Sequence, residues 1–247
     1  KNLIRLRKGF ESFLRYILQL SADPYEVRRD GGKGPSAPTY SILILISKES
    51  SMPISPWNYA NLTYLNLKAK LDDEKTVVTL KIDRYLNNGL KLPRNMNAGK
   101  ALFQLLNSIV GELKVKYPGP LKFKISDIAY DRVKLQRVFY GKGSPEDIRD
   151  VVRLASRYKL TDAKTVNQYC TANIGLDCNG FAGNFWGIDP ETIIGSYDVN
   201  RRKAVADVAS GDAMIYYRKG GSSPVHIAVV DEVKIVGKDF QVIIAQS

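Results

Sequence analysis

Leu176-Asp177-Cys178-Asn179-Gly180-Phe181 places an acid, a thiol and a glycine in direct succession, and the only histidine of the 247-residue chain, His226, follows 48 residues later. A cysteine hydrolase needs a thiolate as nucleophile and a nearby base or cation to generate it. With one histidine, the base is not a matter of choice: either His226 serves Cys178 or the chain has no Cys–His chemistry. A third polar residue would orient the imidazole and fix its tautomer. Gln246, at the end of the last apolar run, is the first candidate for that role, and Asp212, Asp231 and Asn184 stand behind it. The other thiol, Cys170, is read as structural. The bland alternative makes Cys178 a buried inert thiol and His226 a satisfied core residue.

These side chains need mounts. A thiol in the first turn of a helix lies near unpaired backbone N–H groups and the positive end of the helix dipole, which favour the thiolate. The same N–H groups can hold the oxyanion that forms when the thiolate attacks a carbonyl. A helix is therefore expected from about Asp177 through Trp186, with Phe181 and Phe185 facing the core and Gly180 admitting close approach. His226 opens the run Ile227-Ala228-Val229-Val230, which reads as a strand, and a base on a strand is held rigidly. Residues 212–217, 225–233 and 240–245 are expected as three strands. Before them, Ser144 as N-cap, Pro145 at the first helical position, and Glu146 and Asp147 in the first turn mark a helix start.

At this point the residues resemble a family. Asp177-Cys178-Asn179-Gly180-Phe181, then Gly211-Asp212-Ala213-Met214, then His226-Ile227-Ala228-Val229-Val230 look like the NlpC/P60 peptidases, over roughly residues 145–247. The resemblance implies a papain-like α+β domain in which the helix bearing the cysteine packs on an antiparallel sheet. It implies a cysteine peptidase or amidase acting on peptides of the bacterial cell wall, in a secreted, periplasmic or cell-envelope location. Carried over, Cys178 matches the nucleophile, His226 the base and Gln246 the third polar position. Tyr169 falls near a family tyrosine and Asp177 matches the acid of its motif, both as substrate-binding residues. The chain departs from the pattern at Asn179, where Ser or Thr is usual, and in lacking Trp-Gly-Gly within residues 169–176. An acyltransferase, a non-wall amidase, or a binding protein with a retired site would carry the same residues.

Charge divides the chain. Residues 1–144 hold 25 Lys and Arg against 12 Asp and Glu, and residues 145–247 hold 12 against 13. This asymmetry suggests two modules, a basic mixed α/β domain over residues 1–143 and the catalytic domain over 144–247, with the first meeting an anionic wall polymer or membrane surface. A solvated basic face is the plainer reading. Nucleic acid is not an expected partner, since no recognition motif is present. No cofactor is expected, and two cysteines with one histidine fall a ligand short of a structural zinc. No apolar run reaches the roughly 18 residues of a membrane span. No secretory signal is visible, and a chain beginning at Lys1 leaves the precursor open.

Within the first part, residues 2–20 carry apolar residues at three- and four-residue steps and read as an amphipathic helix. Residues 30–39 read as a Gly/Pro loop and residues 40–46 as a strand. Residues 59–71 and 76–82 alternate around Asp72-Asp73-Glu74 and read as a β-hairpin. Residues 98–117 read as a helix ending at Pro118, and residues 123–128 as a short strand.

Overall fold

A computed structural model describes residues 14–20 and 40–45 as backbone, and residues 54–86, 96–197, 202, 204–218, 221–237 and 239–247 with their side chains. The fold is α+β with antiparallel sheets. The chain forms two compact units: Asn61–Gly180, and the described residues up to Ala60 together with those from Phe181 onward. The division expected near residue 143 falls inside the continuous unit. There Gly143 is packed tightly, since a Cβ on it would sit 2.7 Å from Val138 Cγ2. Charge balance along a sequence reports on surfaces, whereas the units are defined by pairing between distant segments.

The discontinuous unit is built on a five-stranded antiparallel sheet in the order β1-β9-β8-β7-β2. Its strands are β1 (Leu14–Leu20), β2 (Tyr40–Leu45), β7 (Ala213–Arg218), β8 (Pro224–Val236) and β9 (Asp239–Gln246). The three C-terminal strands follow the apolar runs in the sequence. Val208, Met214, Ala228, Val230, Val242 and Ile244 form one buried cluster on this sheet. The intervening Ala213, Ile215, Ile227, Val229, Ile243 and Ala245 are also buried, so both faces are covered. Residues 14–20, expected as helix, form β1 instead, with Ile17 opposite Ile243 and Tyr16 opposite Ile244. Helical spacing in a short apolar run does not exclude a strand, and a long-range partner decided the matter. Residues 2–13 and 30–39 of the earlier readings lie outside the described residues.

Two short helices complete this unit. Helix α1 (Pro56–Ala60) lies where a strand was expected to begin, and its Asn58 N–H bonds Ser55 Oγ at 3.3 Å. Ser55-Pro56 is a cap followed by a proline at the first helical position, the same signal as Ser144-Pro145. Helix α6 (Cys178–Trp186) was expected; its residues from Phe181 onward belong to this unit. Phe181 and Phe185 are buried against Tyr59 of α1, with ring centroids 6.2 and 5.4 Å away.

Among its described residues, the continuous unit, Asn61–Gly180, includes two hairpins and the helices α2 to α5. The hairpins are β3 (Leu67–Lys70) with β4 (Val77–Leu80), and β5 (Lys122–Ile125) with β6 (Ile128–Asp131). A turn of π-helix (Asn61–Leu65) precedes β3, so the expected hairpin is shorter than the alternation suggested. The helices are α2 (Met96–Leu113), α3 (Arg132–Phe139), α4 (Pro145–Arg157) and α5 (Val166–Asn173). Helix α4 begins with the N-cap expected of Ser144, closed into a capping box: its hydroxyl accepts from Asp147 N–H at 3.1 Å, and the Asp147 carboxylate accepts from Ser144 N–H at 3.2 Å. Helix α3 was not anticipated; Asp131 caps it by accepting from Val133 N–H at 2.8 Å.

Candidate functional site

Each candidate residue is described within its own unit. Cys178 is the first residue of α6 and is buried, at 6% exposure. Asp177 precedes it and caps the helix: Oδ1 accepts the Gly180 N–H at 2.6 Å, satisfying an amide that no helical carbonyl can reach. The same carboxylate is paired with Lys142, whose Nζ lies 2.9 Å from Oδ1 and 2.7 Å from Oδ2, with 9% and 8% of the two side chains exposed. Burial pushes the Asp177 carboxyl up from its ordinary range, against the pull of Lys142 and of the Gly180 and Asn179 N–H groups.

Backbone clamps this corner. Asp177 N–H bonds Gly141 O at 2.9 Å, and Leu176 joins residues 84–86 through bonds of 2.9 and 3.0 Å. A Cβ on Gly180 would fall 2.1 Å from Gly141 O, and Gly141 itself has φ +82°. Only glycine at both positions lets the two segments come this close. Gly180, first read as permitting approach of another element, approaches the 141–143 turn. The Lys142–Asp177 pair was not anticipated; its residues are 35 apart in sequence, and no local pattern couples them.

Tyr169 lies on α5, its hydroxyl buried and without a hydrogen-bond partner; burial raises its pKa. Cys170, beside it, is buried and free of any disulfide, and burial pushes its thiol up to about 12. A thiol held that high is protonated and unreactive near neutrality.

In the discontinuous unit, His226 lies on β8 opposite Tyr216 of β7, with ring centroids 5.3 Å apart. Because Val230 pairs with Ile244, the two-residue strand period puts His226 and Gln246 on one face with Ala228, Val230, Val242 and Ile244. His226 Nε2 and Gln246 Oε1 are 2.7 Å apart. An amide oxygen can only accept, so Nε2 carries the proton and Nδ1 presents a lone pair. Burial lowers the imidazole pKa below 6.5, with Gln246 opposing, and the ring is neutral at physiological pH.

Two of the other candidates for the third polar residue, Asp212 and Asp231, are engaged elsewhere. Asp212 accepts both arms of the Arg202 fork at 2.9 Å and the Ala209 N–H at 2.9 Å. Asp231 sits at the bulge of β8 and accepts Trp57 N–H at 2.9 Å. Asn184 accepts through its backbone carbonyl from the Tyr59 hydroxyl at 3.3 Å. The Gly211-Asp212 turn is a structural junction: Gly211 N–H bonds Val230 O at 2.8 Å, and its carbonyl accepts from Trp186 Nε1 at 2.9 Å.

Among the described residues, no group of three or more His, Cys, Asp or Glu side chains is placed to hold a metal ion. No described helix is long and apolar enough to cross a membrane. Comparison with protein families, curated proteins and solved structures finds no match.

Proposed function

We propose that the chain is a cysteine peptidase or amidase of NlpC/P60 type, with a papain-like catalytic arrangement, acting on peptides of the bacterial cell wall. The observation that supports it most is the 2.7 Å bond between His226 Nε2 and Gln246 Oε1. It gives the lone histidine the tautomer and the fixed ring that a general base needs, with Nδ1 left to take a proton.

In this reading Nδ1 accepts the Cys178 proton, and the thiolate adds to the amide carbonyl carbon. The Cys178 backbone N–H, at the start of α6, is the donor assigned to the tetrahedral oxyanion. The C–N bond breaks as the imidazolium returns its proton to the leaving amine, and a thioester remains. His226 then deprotonates a water, which displaces the Cys178 thiolate and releases the carboxylic acid. Tyr169 is assigned to the substrate, on the strength of its unpartnered hydroxyl. Asp177, with both oxygens bound inside the protein, is assigned to holding the helix start. The continuous unit carries 21 Lys and Arg against 12 Asp and Glu, a balance suited to holding the enzyme on an anionic wall polymer.

The test is incubation of purified wall fragments with the protein and with Cys178→Ala, followed by product separation. New amine and carboxylate termini from the parent alone support the reading. Equal products from both, or none from the parent, sink it.

A further inference from the structure

The catalytic reading leaves one buried charged group without a role. Lys142 sits in the turn between α3 and α4, at 8% exposure, and its ammonium pairs with Asp177. Burying an ammonium and a carboxylate together costs desolvation that a salt bridge seldom recovers. A pair of apolar residues would hold this turn at lower cost, so the pair calls for a reason beyond stability.

The neighbouring residue supplies one. Asp177 caps α6, and the next residue is Cys178. A bare carboxylate beside the thiol disfavours the thiolate, as one negative charge disfavours another. An acid is nevertheless a strong N-cap, and here its Oδ1 holds the Gly180 N–H at 2.6 Å. Lys142 resolves the conflict: it leaves the cap in place and cancels its charge. The turn is fixed for this purpose, because Gly141 O receives the Asp177 N–H at 2.9 Å and Lys142 N–H bonds Arg137 O at 2.8 Å.

We propose that Lys142 is a positioning residue for the nucleophile: by neutralising the N-cap carboxylate of Asp177, it lets the N-terminal end of α6 act on the Cys178 thiolate undiminished. This rests on Cys178 being the nucleophile. Other titratable groups of the continuous unit on neighbouring segments include Arg84, Arg137, Asp147, Tyr169 and Cys170. Arg84 is engaged with Thr171 O and Ala172 O at 2.9 and 2.7 Å and does not offset the charge of Asp177.

The test is the pH dependence of iodoacetamide alkylation at Cys178, followed by peptide mass spectrometry on the full chain so that Cys170 is scored separately. Lys142→Met removes the counter-charge of the Asp177 carboxylate and moves the midpoint up by about one pH unit. Asp177→Asn keeps a neutral cap and leaves a cation, and moves the midpoint down. The double variant Lys142→Met/Asp177→Asn returns it to the parent value. A purely structural pair predicts shifts of one sign in both single variants. Shifts of the same sign, or an unrestored double variant, overturn the proposal. If Lys142→Met does not fold, Asp177→Asn decides alone, and a midpoint at or above the parent's overturns it. A parent Cys178 that alkylates no more readily than an ordinary thiol, near 8.5, overturns the hydrolase reading itself, a separate outcome.

Discussion

At the start of α6, Cys178 is held by buried charge: a lysine, a carboxylate and a backbone clamp built on two glycines. His226 is held by neutral groups on a sheet, with one amide oxygen on its ring and aliphatic side chains along its face. The charged corner has little tolerance, because removing either partner strands the other away from water. The neutral corner loses one hydrogen bond when Gln246 is trimmed, and the sheet beneath it stays. Stability and chemistry should therefore separate differently in the two units.

The largest effect expected is on the charged corner. Lys142→Met should cost about 3 kcal/mol in urea unfolding, and pairing it with Asp177→Asn should recover much of that. Equal losses in the single and double variants would break the comparison. Of similar size is Gly180→Ala, about 3 kcal/mol, since its methyl would meet the Gly141 carbonyl. Gly99→Ala on α2 has open space around it and should instead stabilise by roughly 0.5 kcal/mol, which separates the clamp from helix propensity.

The neutral corner should respond in activity more than in stability. Gln246→Ala should cost about 1 kcal/mol or less in unfolding yet slow hydrolysis by about tenfold or more, because the imidazole loses its orienting partner. A loss of activity that merely tracks unfolding would show that the bond is structural.

These contrasts were unequally legible in the sequence. Helix α4 announced itself because Ser144, Pro145 and Asp147 are local, and β7 to β9 did so because their apolar runs are continuous. The Cys178 helix start and the His226 strand were legible for the same reason. Gln246 was chosen for its place at the end of the last strand, and only the register of β8 with β9 brings it to His226. Strand β1 was misread as helix because its partner lies more than 200 residues away. Helix α1 was missed although Ser55-Pro56 carried the signal, since Tyr59 runs straight into a segment whose Leu67, Ala69 and Leu71 alternate as in a strand. The Lys142–Asp177 pair and the discontinuous unit depend on distant contacts that no window of sequence contains.

The smallest effect is on the pH dependence of stability. Burial lowers the His226 pKa in the folded state below its ordinary 6.5. The unfolded chain then takes up a proton first as pH falls, so stability is full above about 6.5 and declines toward the lower folded value. Between pH 7.5 and 5, the parent should lose more melting temperature than His226→Gln, which cannot titrate there. Equal losses would show that the imidazole is not buried in its neutral form.

The central claim is that Cys178 and His226 act as a pair, and the most direct measurement is the pH profile of Cys178 alkylation in the parent and in His226→Ala. The account predicts a parent midpoint well below the ordinary thiol value of about 8.5, with loss of that low-pH reactivity in the variant. Superimposable profiles in the two proteins would contradict it.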